Sequence, residues 1–160
     1  ARQVDASVYI NVQGDEPVFN PNDLQALIAA ISTHPDMILN GVCRISGEAQ
    51  YRSRSVPKVV MRPDGKLLYM SRAPIPASKS DRFSAAWRQV CAYAFPKAAL
   101  QDFAMHPTKT QLEEIEDIEI LRFIELGWEV CMIPMSDLSV AVDNEDDVAF
   151  AEAAIKARGL

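Results

Sequence analysis

Two adjacent carboxylates, Asp15 and Glu16, follow a β-rich run near the start of the sequence. The run Val8–Val12 is apolar on both faces, which is typical of a buried central strand in a sheet with helices on both sides. Gly14 allows a tight turn after it. Open α/β sheets bind ligands at the carboxyl ends of their strands, so we expect Asp15 at the rim of the crevice with Gln13 behind it. A carboxylate there suits a hard divalent cation, although a simple polar turn is the alternative.

A second group of acids, Asp143 and residues 145–147, lies near the end of the sequence. With Asn144 as the cap, these residues are expected to begin the final helix. An acid in that position is stabilised by the helix dipole by roughly 0.5 kcal/mol. Residues 111–150 carry twelve Asp or Glu against a single basic residue, so this part of the chain either holds cations or is solvated helix surface.

Arg72 stands in a part of the chain whose backbone the sequence makes stiff. It follows a hairpin signal over residues 58–70, in which two β-rich runs flank a Pro-Asp-Gly turn. Two prolines within residues 74–76 then impose an extended path. Residues 44–110 carry twelve Lys or Arg against four Asp or Glu, a balance that suits an anionic substrate.

The elements that must position these residues alternate between strands and helices. The sequence pattern predicts strands at 8–12, 37–45, 58–62, 66–70, 88–95 and 128–134, and helices at 23–33, 96–103, 110–126 and from 144 onward. The helix 110–126 is expected to be continuous, with a capping box formed by Thr110 and Glu113 at its start and Gly127 at its end. Together these elements predict an α/β domain.

Composition limits the class of protein. At 160 residues the chain is one ordinary domain, and it contains no apolar run long enough for a transmembrane helix. Three widely spaced cysteines (Cys43, Cys91 and Cys131) lie in apolar runs, which is typical of reduced core thiols in a cytoplasmic protein. With two histidines and no paired spacing a zinc site is not expected. No basic stripe is interleaved with aromatic residues, so nucleic acid is not an expected partner.

No G-x-G-x-x-G or G-x-x-x-x-G-K-[ST] motif occurs in the sequence. An α/β nucleotide-binding domain normally carries its phosphate-binding turn after its first strand, upstream of a central strand. This sequence begins without Met and opens almost directly into the run at residues 8–12. We therefore expect it to lack the N-terminal portion of its domain.

Four motifs in order resemble one known family. They are residues 12–17, residues 69–76, the alternation of Leu112, Glu113, Ile115, Glu116, Glu119, Leu121 and Arg122, and the group Val142, Asp143 and Asp146. In order and spacing, over nearly the whole sequence, they are similar to the 3-deoxy-manno-octulosonate (Kdo) cytidylyltransferases, also called CMP-Kdo synthetases.

The resemblance implies a fold and a reaction. The fold would be an α/β, glycosyltransferase-A-like nucleotidyltransferase fold, with three layers around a mixed, mostly parallel sheet. The reaction would transfer CMP from CTP to the anomeric hydroxyl of Kdo, giving CMP-Kdo and pyrophosphate for lipopolysaccharide biosynthesis. The resemblance also implies Mg²⁺ dependence and a homodimer, with residues 58–95 as the candidate interface. Without the N-terminal phosphate-binding loop, little or no turnover is expected from this chain alone.

The resemblance also assigns roles to individual residues. Asp15 and Asp143 would correspond to the Mg²⁺-binding carboxylates, and Gln13 would lie beside the nucleotide and the sugar. Arg72 would contact the sugar acid, because a guanidinium can bind a carboxylate bidentately. The other positions lining the sugar-acid pocket would be Gln89, Tyr93, Glu113 and Glu116. The alternatives are a capping role for Glu113, a solvated helix face for Glu116 and a core position for Tyr93.

Two departures from the family leave the substrate open. Gln89 and its neighbours stand where many relatives carry a His, and Asn144 and Glu145 stand where Thr-Pro is common. A related 2-keto-3-deoxy sugar acid is therefore an alternative substrate. The rival functions are a CMP-sialate type cytidylyltransferase and a non-catalytic dimerisation or sugar-binding module derived from the family.

Overall fold

The computed structural model describes residues 4–14, 19–138, 142 and 145–158. The elements in these residues are β1 (Val8–Val12), α1 (Pro21–Ile31), β2 (Ile38–Arg44), α2 (Glu48–Arg52), β3 (Lys58–Met61), β4 (Leu67–Ser71), β5 (Trp87–Pro96), α3 (Lys97–Met105), α4 (Gln111–Glu116), α5 (Ile120–Glu125), β6 (Val130–Pro134) and α6 (Glu145–Arg158). No helix in this described part is long and apolar enough to cross a membrane.

The six strands form one mixed sheet in the order β4-β3-β5-β2-β6, and β1 pairs with β5 beside this path. Strand β5 runs antiparallel to β1, β2 and β3, the hairpin β3–β4 is antiparallel, and β2 and β6 are parallel. The mixed α/β sheet implied by the resemblance is confirmed. The parallel share among these strands is smaller than implied, because β5 runs opposite to each of its described neighbours.

Helices lie on both faces of the sheet and produce the expected three layers. On one face α3, α4 and α5 enclose the larger core, which includes Ile38, Val42, Tyr93, Leu121, Phe123 and Met132. On the other face α1 covers a smaller core that includes Leu27, Leu39, Ala92 and Ile133. Strands β2 and β5 are buried on both faces, as expected for strands between two helical layers.

Strand β1 is not the buried central strand that its composition predicts. Among the described residues it pairs with β5 alone, and Ile10 and Val12 are 40% and 36% exposed. β-Branched residues favour an extended backbone whether or not they are buried, so an apolar run alone overstates burial. The central position belongs to β5, which has strands along both edges.

The predicted continuous helix 110–126 is two short helices, α4 and α5. Asp117 adopts a left-handed conformation with φ 52° at the end of α4. The apolar residues recur every three positions, so their stripe drifts by about 60° around a helix at each step. Ile115 is accordingly 70% exposed while Ile118 is buried. The break leaves the carbonyls at the end of α4 available to the segment that follows β4.

The hairpin follows its prediction, and α1 begins at Pro21, two residues before the predicted start. Gly65 occupies the hairpin turn with φ 84°, a conformation that other residues rarely adopt. The Asn20 side chain caps α1 by accepting the N–H of the residue two positions on, at 3.1 Å. Asp23 is buried, and its carboxylate accepts hydrogen bonds from the amide (3.0 Å) and the hydroxyl (2.6 Å) of Ser136. This contact fixes the start of α1 to the end of β6.

Candidate functional site

An amide network, formed by Asn40, Gln89 and Tyr93, lies in the middle of the sheet. The pairing of β2 with β5 shifts register between Asn40 and Gly41. The fully buried Asn40 side chain fills the gap, and its Nδ2 donates to the carbonyls of Val90 (3.0 Å) and Ala92 (3.1 Å). Buried carbonyls need a donor, so Asn40 stabilises this irregular part of the sheet.

The two backbone carbonyls fix the direction of the other hydrogen bonds in the amide network. Because a carbonyl can only accept, Asn40 must direct Nδ2 toward them and Oδ1 away. Gln89 Nε2 donates to Asn40 Oδ1 at 3.0 Å and to Tyr93 Oη at 3.3 Å. Both hydrogens of the Gln89 amide are used in this way, so Gln89 Oε1 is oriented as an acceptor.

Strand β1 extends this group of polar side chains along the sheet. In the strand register, Tyr93 lies between Asn11 of β1 and Asn40 of β2. Opposite residues of antiparallel strands point to the same face, and alternation places Gln13 on that face with Asn11. The Gln13 N–H donates to the carbonyl of Cys91 at 3.1 Å, so Gln13 is held against β5.

A second group, which we call the Arg72 clamp, consists of Lys58, Ser71, Arg72 and Glu116. The amide N–H of Arg72 donates to Glu116 Oε2 at 2.9 Å, and the Arg72 carbonyl accepts from Lys58 Nζ at 2.6 Å. The Ser71 hydroxyl donates to Glu116 Oε1 at 2.6 Å and accepts the N–H of Ala73 at 3.0 Å. Charged side chains therefore hold the backbone of Arg72 from both sides.

The guanidinium of Arg72 faces the break between α4 and α5. Its Nε donates to the carbonyl of Glu116 (2.6 Å), its Nη2 to that of Asp117 (2.9 Å) and its Nη1 to that of Arg54 (3.1 Å). A guanidinium has five N–H donors, so one hydrogen on each Nη is not used by these bonds. Arg72 is half-buried, so these two N–H groups are available as charged donors to an anion.

The clamp also shifts the titration of its members. Burial raises the pKa of Glu116, but hydrogen bonds from Ser71, the Arg72 amide and Tyr69 (3.3 Å) outweigh it, so the pKa lies below its ordinary value. Burial and then the charge of Glu116 raise the pKa of Tyr69. Glu116 is therefore ionised at neutral pH, and both of its oxygens accept hydrogen bonds from the chain's own donors.

Glu113 lies apart from both groups. It is 1% exposed and forms a buried ion pair with Arg122, whose Nη2 donates to Oε1 at 2.6 Å and whose Nε donates to Oε2. Oε2 also accepts the N–H of Thr110 at 3.3 Å, which is the capping contact expected from the sequence. The guanidinium of Arg122 lies over the ring of Phe103, 3.8 Å from its centroid. Both oxygens of Glu113 thus join α4 to α5.

The strand register relates the amide network to the Arg72 clamp. Ser71 of β4 lies opposite Lys58 of β3, which lies opposite Arg88 of β5. The Gln89 N–H donates to the carbonyl of Pro57, just before β3, at 3.1 Å. Two strand spacings separate β4 from β5, about 10 Å. The two groups therefore lie on neighbouring strands of one sheet.

A cavity of about 510 Å³ lies beside the hairpin, with Val59, Met61, Trp87 and Met132 among its lining residues. None of the candidate site residues that the structure describes lines it. We take the Arg72 clamp and the amide network, each with donors and acceptors of fixed direction, as the two parts of the candidate site.

Asp15 and Asp143, the predicted metal ligands, lie outside the described residues, as does Asn144. Among the residues that are described, no group of three or more His, Cys, Asp or Glu could hold a metal ion. The two carboxylates fit Mg²⁺ by their chemistry, because Mg²⁺ is usually held by one or two carboxylates together with substrate phosphates and water. The predicted metal site stays a prediction.

No prediction from the sequence assigns Asn40, Lys58 or Ser71 to the site. A signal existed for Asn40, since it is an amide within an apolar strand, and such a group requires partners when buried. Lys58 gives no such signal, because a lysine at the start of a strand is usually solvated, whereas here it is fully buried. Ser71 belongs to a recognised motif, but its partner becomes apparent only when α4 is in place.

Comparisons with known proteins agree with the resemblance. A family model described as Cytidylyltransferase matches residues 1–132. The chain is 35% identical over 153 residues to the 3-deoxy-manno-octulosonate cytidylyltransferase of Acidobacterium capsulatum, covering 95% of this chain and 62% of that protein. It is 39% identical over 163 residues to the protein of that name from Chloroherpeton thalassium, covering 96% and 63%. It is 32% identical over 152 residues to the 8-amino-3,8-dideoxy-manno-octulosonate cytidylyltransferase of Shewanella halifaxensis, covering 93% and 61%.

Solved structures of other proteins share the fold of this chain. The chain matches CMP:2-keto-3-deoxy-manno-octonic acid synthetase complexed with CTP with a TM-score of 0.86 and 27% identity, over 99% of this chain and 65% of that one. It matches the inositol-1-phosphate CTP transferase from T. maritima with a TM-score of 0.60 and 16% identity, over 97% and 58%, a likeness of fold alone. The nucleotidyltransferase fold is thus confirmed. The chain spans about three-fifths of the length of the curated relatives that it matches.

Proposed function

The chain belongs to the cytidylyltransferase family, and we propose that it transfers CMP from CTP to the anomeric hydroxyl of a 2-keto-3-deoxy sugar acid, with Kdo as the first choice. The observation that carries this proposal is the likeness, at a TM-score of 0.86 and 27% identity, to a synthetase of that class complexed with CTP. Curated relatives are named for the same reaction. The CMP-Kdo formed would serve lipopolysaccharide biosynthesis.

In this reaction the sugar hydroxyl attacks the α-phosphorus of CTP while the bond to pyrophosphate breaks. The two unused N–H groups of Arg72 would bind the sugar carboxylate, and the Arg72 clamp would orient the sugar for attack. Gln89 Oε1 would accept a hydrogen bond from a sugar hydroxyl. Tyr93 is part of the larger core, and its hydroxyl would hold the Gln89 amide in place for this contact. Gln13 would lie beside the nucleotide.

The contacts of the two glutamates support different roles. Glu116 holds the Arg72 amide and the Ser71 hydroxyl, which supports a positioning role through Arg72. Glu113 is paired with Arg122, which supports a structural role. The prediction that either glutamate lines the sugar-acid pocket stays a prediction.

Asp15 and Asp143 are the residues that we propose to hold Mg²⁺. Their carboxylates supply hard oxygen ligands of the kind that this ion prefers. The chemistry that bound Mg²⁺ supplies is neutralisation of charge on the triphosphate and on the leaving pyrophosphate.

A second candidate substrate is the 8-amino-3,8-dideoxy form of the sugar acid. The relative from Shewanella halifaxensis, at 32% identity, is named for that substrate. The oriented acceptor of Gln89 can take an N–H from an amine as well as an O–H from a hydroxyl. The two sugar acids therefore make comparable demands on this part of the site.

Pyrophosphate release separates these alternatives. The protein in its full natural length is incubated with CTP, Mg²⁺ and one sugar acid at a time: Kdo, its 8-amino analogue or sialic acid. We expect release with one of the first two and none with sialic acid. Absence of release with all three would favour a non-catalytic sugar-binding module. Assay of the 160-residue chain in parallel tests the expectation that it alone turns over little.

We further propose that the protein is a homodimer and acts in the cytoplasm. The exposure of Leu68, at 55%, on the hairpin strand β4 supports an interface within residues 58–95. The need for CTP, a cytoplasmic nucleotide, supports the location. Cys43 and Cys131 are buried, which is common for thiols of reducing compartments.

A further inference from the structure

Lys58, the first residue of β3, carries a buried charge that the proposed reaction does not use. Its side chain is 0% exposed. Its Nζ donates to the carbonyls of Ser53 (2.7 Å), Val56 (2.6 Å) and Arg72 (2.6 Å). An ammonium group has three hydrogens, so each of them has an acceptor. Dipoles of three carbonyls, rather than a carboxylate bonded to Nζ, compensate for the loss of water around this charge.

These three carbonyls come from different parts of the chain. Ser53 follows α2, Val56 precedes β3, and Arg72 follows β4. The same Arg72 segment is held from its other side by Glu116, which accepts the Arg72 N–H at 2.9 Å. The ammonium of Lys58 is thus the point at which the loop before β3 and the exit of β4 are joined.

We propose that Lys58 is a positioning residue, whose protonated ammonium fixes the backbone of Arg72 where the guanidinium can reach the sugar carboxylate. This inference rests on the proposed role of Arg72 in binding the sugar acid. Lys58 itself is enclosed and does not touch the substrate. Its effect therefore falls on the affinity for the sugar acid rather than on the chemical step.

The charges around Lys58 make its hydrogen bond to the Arg72 carbonyl sensitive to alkaline pH. Arg72 leaves β4, Arg54 lies in the loop before β3, Glu116 ends α4, and Arg88 is the register partner on β5. Burial and then the charge of Arg72 lower the pKa of Lys58 to about 8, against the opposing effect of Glu116. A neutral amine has two hydrogens for three carbonyls, so the contact with Arg72 weakens as the pH rises through that value.

The lowered pKa of Lys58 also makes the unfolding free energy depend on pH. The folded-state pKa lies below the unfolded one, so between about 8 and 10.5 the unfolded chain binds more protons at this position. In that window the unfolding free energy of the wild type rises with pH relative to Lys58→Met. Affinity for the sugar acid falls over the same window. A side chain with a purely structural role would not move these two quantities in opposite directions.

The test compares the KM for the sugar acid across alkaline pH in the full-length protein. In the wild type we expect this KM to rise about tenfold from about pH 7 to about pH 9.5, with kcat changing less. Lys58→Met should have a raised KM that does not depend on pH. Lys58→Arg keeps its charge, so its KM should not rise with pH. The matched control is Lys66→Met, since Lys66 lies on the same hairpin but pairs with the exposed Glu129 at 2.8 Å. It should behave like the wild type.

The same KM and the same pH dependence in Lys58→Met and the wild type would overturn the proposal. A wild type that releases no pyrophosphate would instead overturn the proposed function. In that case hydrogen exchange of the 160-residue chain decides the positioning role. Faster exchange of the Arg72 and Ala73 amides in Lys58→Met than in Lys66→Met supports it, and equal exchange overturns it.

Discussion

The two ends of helix α4 carry glutamates about one turn apart that use their charge in different ways. At the N-terminal end, Glu113 is 1% exposed and forms a bidentate pair with Arg122. At the C-terminal end, the half-buried Glu116 accepts hydrogen bonds from Ser71 and from the amide of Arg72. The resemblance assigns both glutamates to the sugar-acid pocket, whereas the structure gives them different hydrogen-bond partners.

The difference shows how burial decides what a charge contributes. A buried ion pair must be complete, since removing one member leaves the other charge without water or partner. A partly exposed carboxylate that accepts backbone and hydroxyl hydrogens fixes local geometry and adds little to global stability. We therefore expect loss of Glu113 to lower the stability of the fold, and loss of Glu116 to change the position of Arg72.

The largest effect is expected from Glu113→Ala, which leaves Arg122 buried without its partner. We expect a loss of about 3–5 kcal/mol in the free energy of unfolding. Urea denaturation measures it, with Glu114→Ala as the control, since Glu114 is exposed on the same turn and should change stability by less than about 0.5 kcal/mol. A loss no larger than that of the control would show that the buried pair contributes nothing.

A smaller effect on stability, but a larger one on binding, is expected from Glu116→Ala. The Arg72 amide and the Ser71 hydroxyl lose their acceptor, so we expect the KM for the sugar acid to rise about tenfold and stability to fall by about 1–2 kcal/mol. Steady-state kinetics and urea denaturation measure the two quantities, with the exposed Glu119→Ala as the control. If stability falls as far as in Glu113→Ala and KM does not change, the distinction between the two ends is wrong.

The pH dependence of stability is a further test of the role of Glu116. The folded-state pKa of Glu116 lies below its ordinary value of 4.5. Its contribution is therefore fully present above that ordinary value and is lost as the pH falls through the lower folded-state pKa. We expect the difference in unfolding free energy between wild type and Glu116→Gln to be constant near neutral pH and to shrink in acid. A difference that stays the same throughout the acid range would contradict this role.

The smallest effect is expected from Tyr69→Phe. The phenol donates to Glu116 across 3.3 Å, a long hydrogen bond, and Ser71 donates to the same oxygen at 2.6 Å. We expect a loss of about 0.5 kcal/mol in stability and a change in sugar-acid KM of less than about twofold. An effect on KM as large as that of Glu116→Ala would mean that Tyr69, rather than Ser71, holds the carboxylate in place.

Local chemistry made much of the fold predictable. The hairpin turn at Gly65 and the capping contact of Glu113 each depend on neighbours within a few residues. The break at Asp117 was not predictable in this way, because its carbonyl and carboxylate are held by Arg72 and Lys109 from other parts of the chain. Burial of β1 was overestimated, since an apolar strand does not specify what covers it.

The sequence names candidate site residues but not the hydrogen bonds that connect them. Gln89 and Tyr93 share a hydrogen bond of 3.3 Å, whereas the contacts of both residues and of Arg72 with a substrate stay predictions. The parts played by Asn40 and Lys58 depend on which buried carbonyls lack a strand partner, and only the folded sheet determines that. Asp15 and Asp143 lie outside the described residues, so their role as metal ligands stays a prediction.

The central claim is that Arg72 binds the sugar acid that accepts CMP. The most direct test is the rate of pyrophosphate release against sugar-acid concentration, at saturating Mg²⁺ and CTP, for the full-length wild type and Arg72→Ala. We expect a fall of about 100-fold or more in kcat/KM for the sugar acid in Arg72→Ala, with the KM for CTP little changed. Equal kcat/KM in the two proteins, or no release by the wild type, would contradict it.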